Sequence, residues 1–383
     1  MHVQAGNIAS LPFNGKLISP DIVDELVEIS KKDWNNFELS WDFEENPIIH
    51  NAMVSDKLIN SYGLYKDNCI ELSERSLYLE IILNDQAVNS LSLFGKFQYQ
   101  FSLDEVALNS NPSYRYSPNF GAEQREARLK SDTMRELISY AVGCMLGRYS
   151  LAEPGLIYAH SGGVGFDPSR YGAFPADDDG IIPITEEKWF PDDDAATRIE
   201  EFLGIAWPDA PVMETLTTLM DGLSMDKAGE PRAALRSYLS KQFYKDHLQT
   251  YKNRPIYWLF SSGKQKAFEA LVYLHRYNEG TLARMRTEYV MPLMGKLQQR
   301  MADLQAEHDA SSSSAEKTRK NREKDKLAKQ VVELRAFDEE LRHFADQRIS
   351  LDLDDGVKVN YARFGDLLAF KDKVCPKKKD GDE

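Results

Sequence analysis

Two apolar runs joined by a short polar turn constrain the fold of this 383-residue chain more than any other feature. The first run, Pro255–Phe260, is rich in aromatic and β-branched residues, and the second, Phe268–Tyr277, alternates with a period of two. Both patterns are typical of β-strands. The Ser-Ser-Gly that begins Ser261–Lys266 is typical of a turn. The sequence therefore predicts a β-hairpin with Lys264 and Lys266 exposed at its tip.

Lysines at a hairpin tip suit contact with phosphate groups, but they are also common as solvated residues that protect a sheet edge. The charge distribution favours the first interpretation. Residues 231–300 contain 13 Lys and Arg against 4 Asp and Glu, although the whole chain has a formal net charge of −14. A basic segment with interleaved tyrosines and acidic surroundings is a candidate polyanion-binding face. We therefore predict that this segment binds duplex DNA.

The predicted DNA contacts come from the hairpin, from the basic amphipathic helix Pro231–Tyr251 that leads into it, and from an aromatic segment near residue 115. Arg276 alternates with Leu274 on the second strand and is predicted to read a base edge, as arginine does with guanine. The full set of predicted DNA-binding residues is Lys241, Lys245, Lys252, Arg254, Lys264, Lys266, Arg276, Tyr114, Arg115 and Tyr116.

The aromatic segment Asn111–Tyr116 reads NPSYRY, which is close to the N-P-P-Y loop that amino-methyltransferases use around a flipped base. Ser113 replaces the second proline of that loop, and no glycine loop for a methyl donor precedes it. Stacking and phosphate contact are therefore favoured here over catalysis.

No catalytic, cofactor or metal site is predicted. The glycine-rich stretch Ser161–Gly165 would need a further glycine at the position of Pro168 to match a dinucleotide loop. The acidic runs Asp177–Asp179 and Asp192–Asp194 lack the spacing of a calcium loop and are interpreted as solvated caps. The three cysteines are widely separated, which favours neither a disulfide framework nor a zinc site.

Helical periodicity covers much of the remaining chain. Apolar positions three and four apart in 282–304 and 327–344, separated by a serine linker, predict a long antiparallel helical hairpin kinked at Pro292. The expected fold class is α+β, predominantly helical, with the β-hairpin in a mixed domain. No apolar run reaches the roughly 18–20 residues of a membrane span, and no signal peptide is recognisable, so a cytoplasmic protein without membrane contact is expected.

Several long motifs are distributed over nearly the whole chain. They are WNNFELSWDF at 34–43, NPSYRY at 111–116, LISYAVGCMLGRYSLAEPGLIYA at 137–159, FPADDDGIIPIT at 174–185, the hairpin stretch at 253–277 and LDLDDGVKVNYARFGDLLA at 351–369. In this order they resemble the C-terminal part of the PglX family, the adenine-specific DNA methyltransferases of BREX phage-defence systems.

The resemblance implies a helical connector at 1–93, a target-recognition domain at 94–280, and a helical hairpin with its tail at 281–383. It also implies that S-adenosylmethionine is bound by an N-terminal methyltransferase core whose motifs match no position here. The expected partners are duplex DNA and that core. The alternative is a protein–protein scaffold that binds other BREX proteins or is captured by a phage-encoded DNA mimic.

Overall fold

The computed structural model describes residues 19–90, 101–191, 193–224 and 229–376. Contacts divide the chain into two compact units. The first unit contains residues 1–55 and 59–133, and the second contains residues 56–58 and 134–383. The predicted assignment of 1–93, 94–280 and 281–383 to separate functional domains stays a prediction.

The first unit is helical. Ser19 precedes α1, and the proline that follows it occupies the first turn, where its missing N–H group is tolerated. Asp33 near the end of α1 is buried, and its carboxylate accepts hydrogen bonds from the N–H groups of Asn109 (2.7 Å) and Ser110 (2.8 Å). The helices are α1 Pro20–Asn35, α2 Pro47–Ala52, α3 Leu58–Ser90, α4 Pro112–Arg115 and α5 Ala122–Met145, of which residues up to Thr133 belong to this unit.

The second unit contains a three-stranded antiparallel sheet formed by β1 Ile181–Pro183, β2 Tyr257–Ser261 and β3 Glu269–Tyr273, in the order β1-β3-β2. The predicted hairpin is confirmed as β2 and β3. Its second strand ends earlier than predicted, because Arg276 N and Tyr277 N both turn back to the carbonyl oxygen of Tyr273. Strand β1, which lies outside the hairpin, was not predicted from the sequence.

Every residue of β3 is buried, because β1 and β2 pair with its two edges while helices and loops cover its faces. The aromatic side chains of Tyr257, Trp258 and Phe260 in β2 are buried as well. Each such side chain stabilises the fold by roughly 1.5–3 kcal/mol when fully buried. The neighbouring helical segments are α6 Ala195–Ala206, α7 Val212–Gly222, α8 Pro231–Tyr238, a π-helical turn at Leu239–Phe243, and α9 Tyr244–Thr250.

The predicted helical hairpin is confirmed. After α10 Thr281–Arg284 and a π-helical turn at Met285–Val290, the chain forms α11 Met291–Ala310 and α12 Ser314–Asp346. Ion pairs of Arg300 with Glu323 (2.9 Å) and of Glu307 with Lys320 (3.3 Å) show that α11 and α12 are antiparallel. Pro292 lies in the first turn of α11, directly after the π-helical turn, where its missing N–H group is tolerated.

The C-terminal segment covers the outer edge of β2. It contains α13 Gly356–Ala362 and α14 Lys371–Val374. Between them, Leu368 forms a β-bridge with Phe260, and Ala369 N donates to Leu259 O at 2.9 Å. Across the four described ranges, no helix is both long and apolar enough to cross a membrane.

Candidate nucleic-acid interface

The hairpin turn is packed against α12 rather than projecting into solvent. The Glu333 carboxylate accepts hydrogen bonds from Gln265 N (2.6 Å), Ser262 Oγ (2.8 Å) and Ala267 N (3.2 Å). Gly263 has a φ of +126°, and a Cβ atom there would lie 3.0 Å from Glu333 Oε2. Glycine is therefore required at this position for both conformation and space. Lys264 remains exposed, as predicted.

Lys266 does not stand free at the tip as predicted. Its Nζ atom lies 2.9 Å from Glu269 Oε2 and also donates to the carbonyl oxygen of Ser240. The Glu269 side chain is only 4% exposed, so it needs a cation beside it. The lysine therefore stabilises a buried carboxylate, and its contact with DNA stays a prediction.

Arg276 is buried instead of facing outward from a strand. Its guanidinium donates to the backbone oxygens of Asp177 and Asp178, the second at 2.8 Å, and it lies 3.8 Å from the centre of the Phe166 ring. The residue is 6% exposed. Because the guanidinium fixes the loop that precedes β1, a base-reading role is not supported by its position.

Four predicted cations remain exposed around α9. Lys241 forms a 3.3 Å ion pair with Glu186, whereas Lys245, Lys252 and Arg254 form none within the described ranges. Lys252 adopts the left-handed conformation with a φ of +50° at the C-terminal end of α9, where positive charge complements the helix dipole. These three side chains are available to an anionic ligand.

The aromatic segment lies in the first unit. The Tyr114 side chain is 50% exposed and open to stacking. Arg115 pairs with Asp132 at 3.5 Å, and Tyr116 OH donates to the same carboxylate at 2.8 Å. Both residues therefore have partners inside the protein, and their contact with DNA stays a prediction.

Asn111 has a structural role that explains the N-P-S-Y motif. Its Oδ1 atom accepts a hydrogen bond from Ser113 N at 3.0 Å, which caps α4. Its Nδ2 atom donates to Leu103 O (2.6 Å) and Val106 O (2.9 Å), and the residue is fully buried. Since the amide is satisfied by local backbone groups, it is not available to bind a target amino group.

The glycine-rich stretch at 161–165 does not fit a methyl donor. Gly163 N donates to His275 O at 3.0 Å, which occupies the group that would contact a ligand. The loop leads into a single 3₁₀ turn at Pro168–Tyr171 and not into an α-helix whose N-terminus would favour a bound anion. The described residues therefore offer no methyl-donor site here.

A cluster of partly buried carboxylates was missed by the sequence analysis, which interpreted both acidic runs as solvated. Tyr289 OH lies 2.9 Å from Asp179 Oδ2 and also contacts Asp193 Oδ2. Burial, together with the neighbouring carboxylates, raises the pKa of Asp179 to about 7. Burial likewise raises the pKa of Asp193 to about 6 and raises that of Asp177. These residues hold the loop before β1 against the π-helical turn at Met285–Val290.

Among the residues described, no group of three acidic, histidine or cysteine side chains has the arrangement of a metal site.

The raised pKa values predict a pH-dependent stability. An unfolded aspartic acid has a pKa of about 3.9, so between about pH 4 and pH 7 the folded protein binds more protons at this cluster than the unfolded chain. We therefore expect the cluster to lower the free energy of unfolding as the pH rises through this range. Asp179→Asn should reduce that fall in urea titrations at pH 5, 6, 7 and 8. Asp178→Asn is the matched control because Asp178 is exposed. Equal pH dependence of the two variants would contradict the expectation.

Comparisons with known proteins give two strong similarities. No protein-family model matches the chain. It is 44% identical over 379 residues to the adenine-specific methyltransferase BrxX of Escherichia coli O9:H4 (strain HS), a match that covers 96% of this chain and 31% of BrxX. It is 33% identical over 370 residues to the adenine-specific methyltransferase PglX of Lacticaseibacillus casei (strain Zhang), covering 95% of this chain and 29% of PglX. The chain thus spans less than a third of these relatives.

Proposed function

Because this chain belongs to the BrxX and PglX family of adenine-specific methyltransferases and matches the C-terminal part of such proteins, we propose that it is their DNA target-recognition region. The resemblance to PglX predicted from the sequence motifs is confirmed by these identities. In this proposal the chain positions duplex DNA for a methyltransferase core that lies elsewhere in the whole enzyme. That core binds S-adenosylmethionine, and we expect no methyl transfer by this chain alone.

The observation that carries the proposal is the group of exposed cations without ion pairs in the described ranges, one at the start of α9 and two just after the helix ends. Lys245, Lys252 and Arg254 are exposed and form no ion pair in the described part of the chain. They belong to a segment with 13 basic and 4 acidic residues in a chain whose net charge is −14. Contacts of such side chains with phosphates fix the register of a protein on DNA without reading its sequence.

Exposed Lys264 is proposed to contact the same polyanion from the hairpin turn. Its position is fixed because Glu333 ties the turn to α12. A contact held by a rigid turn loses less conformational entropy on binding than one from a mobile loop. Lys241 is proposed to take part as well, after exchanging its ion pair with Glu186 for a phosphate.

The test is the salt dependence of duplex binding by the triple variant Lys245→Glu/Lys252→Glu/Arg254→Glu. Fluorescence anisotropy with a labelled duplex should show binding at least about tenfold weaker than that of the unchanged chain. The slope of log K against log salt should fall by about 2.7, because each phosphate contact contributes about 0.9. A matched control makes the same charge change at other exposed cations without ion pairs in the described ranges: Lys188, Arg335 and Lys358. Equal effects of the two triple variants, or binding insensitive to salt, would overturn the proposal.

A second function, as a scaffold for other BREX proteins, is supported by the first unit. The Trp41 side chain is fully exposed, and Met53 and Val54 are also largely exposed. Large apolar side chains at a surface are typical of protein–protein contacts. Such binding would depend only weakly on salt, and Trp41→Ala would weaken it without changing the affinity for DNA.

A further inference from the structure

Arg148 is a largely buried cation in the second unit that the proposed function does not yet use. It follows Gly147, which leaves α5 in the left-handed conformation with a φ of +81°. Its backbone is fixed on both sides, since Arg148 N donates to Gly143 O at 2.8 Å and Arg148 O accepts from Ile157 N at 2.9 Å. The side chain is therefore held at a defined place beside β3.

Tyrosine hydroxyl groups, and not a carboxylate, surround the Arg148 guanidinium. Nε donates to Tyr149 OH at 2.9 Å, and Nη1 donates to Tyr273 OH at 3.3 Å. The guanidinium carbon lies 5.2 Å from the centre of the Tyr149 ring. Nη2 forms no hydrogen bond with the residues that the structure describes. At least two of its five N–H groups are thus left for a ligand.

No acidic side chain in the described ranges forms an ion pair with Arg148. Besides the tyrosines, two histidines interact electrostatically with Arg148. Burial, followed by the positive charge of Arg148, lowers the pKa of His247 to about 3 and that of His275 to about 4. Both imidazoles are therefore neutral at pH 7, and Arg148 is the one formal charge of this cluster. His275 Nδ1 is also buried without a hydrogen-bond partner.

A cation withdrawn from water without a counter-ion is unfavourable, because its lost hydration is not offset by an opposite charge. Arginine presents a planar fork of donors that matches phosphate oxygens. Arg148 as a whole residue is partly exposed. A guanidinium with unused N–H donors, an imidazole with one unpaired ring nitrogen and tyrosine rings together have the chemistry of a phosphate site.

We propose that Arg148 binds a phosphate of the DNA backbone and thereby helps to set the register of the duplex on the second unit. This inference rests on the proposed DNA-binding function. Tyr251 lies within electrostatic range of Arg148 and is followed directly by Lys252 and Arg254. In the proposed function the duplex contacts Lys252 and Arg254, so the phosphate assigned to Arg148 is one of the DNA backbone and not a free one.

The test compares Arg148→Gln with the unchanged chain for two probes, inorganic phosphate and a labelled duplex. At constant ionic strength, phosphate should raise the melting temperature of the unchanged chain more than chloride does, and Arg148→Gln should abolish that difference. For the duplex, Arg148→Gln should weaken binding about three- to tenfold and reduce the log K against log salt slope by about 0.9. Arg335→Gln, which removes an exposed cation from α12, should change neither quantity.

The outcomes separate this inference from the proposed function. If the unchanged chain fails to bind duplex but phosphate still stabilises it through Arg148, the proposed function fails and the anion site stands, with free phosphate as its ligand. If duplex binding is salt-dependent and Arg148→Gln leaves it unchanged, the inference is overturned. Should Arg148→Gln fail to fold, Arg148→Lys replaces it, since it keeps the charge but loses the fork of donors. Unchanged duplex affinity in that variant also overturns the inference.

Discussion

Replacing Arg276 with alanine is expected to lower the free energy of unfolding of the second unit by about 3–5 kcal/mol. Two backbone acceptors, the oxygens of Asp177 and Asp178, would lose charge-assisted hydrogen bonds worth roughly 1–3 kcal/mol each. The contact with the Phe166 ring at 3.8 Å contributes roughly 0.5–2 kcal/mol more. Urea titration followed by circular dichroism measures the loss.

Arg348→Ala is the control for Arg276→Ala. The Arg348 side chain is 75% exposed, although it too has an acidic partner, Glu279, at 3.3 Å. We expect a change within about 0.5 kcal/mol for this surface position. If Arg276→Ala were as stable as the control and relaxed the sequence selectivity of methylation in the whole enzyme, the base-reading role predicted from the sequence would be restored.

The two lysines of the hairpin turn are expected to differ strongly when each is changed to glutamate. Lys266→Glu removes the cation beside Glu269 and places a second carboxylate next to one that is 4% exposed. Breaking a buried pair in this way destabilises by roughly 3–5 kcal/mol, reduced here because Lys266 itself is about one-third exposed. Lys264→Glu should leave the melting temperature unchanged and weaken duplex binding.

Thermal melting and duplex binding of the two single variants test this difference. A Lys266→Glu protein that melts normally would show that the ion pair is dispensable and that both lysines are equivalent, as the sequence suggested. Lys266→Gln separates the two causes of instability, because it removes the cation without adding an acid. Its stability should lie between that of the unchanged chain and that of Lys266→Glu.

The elements that were predicted correctly are those whose pattern is local. The β-hairpin has two runs of strand-forming residues around a Ser-Ser-Gly turn. The helices at Met291–Ala310 and Ser314–Asp346 follow the same rule, since each repeats apolar residues three and four apart. Such patterns can be recognised without knowing which distant segment packs against the helix or strand.

The misjudged side chains are those whose environment comes from distant parts of the chain. Arg276 is buried and contacts residues 166, 177 and 178, and nothing in the sequence next to it indicates this. Asp179 and Asp193 are partly buried and both contact the hydroxyl of Tyr289, which lies about a hundred residues later in the chain. Strand β1 is only three residues long, and its partner β3 lies nearly ninety residues later in the sequence. The Ile-Ile pair after Gly180 was its only local indication of a strand.

The candidate DNA-binding site was also predictable only where its features are local in the sequence. Sequence reasoning found the basic segment, because charge density is visible along the chain. It could not separate Lys266, which pairs with Glu269, from Lys264, which does not, since both are lysines in one turn. Arg148 gave no signal, because its lack of a carboxylate partner is a property of the three-dimensional surroundings.

The tail that covers β2 has a consequence for how this region can be dissected. A fragment ending at Asp346 would lose the bridge of Leu368 to Phe260 and the contacts of Tyr361 and Phe364 with the ring of Trp258. An uncovered strand edge with aromatic side chains pairs readily with the same edge of another molecule. We expect such a truncated protein to aggregate through the exposed edge of β2. The segment from α13 to α14 therefore protects the intact chain from self-association.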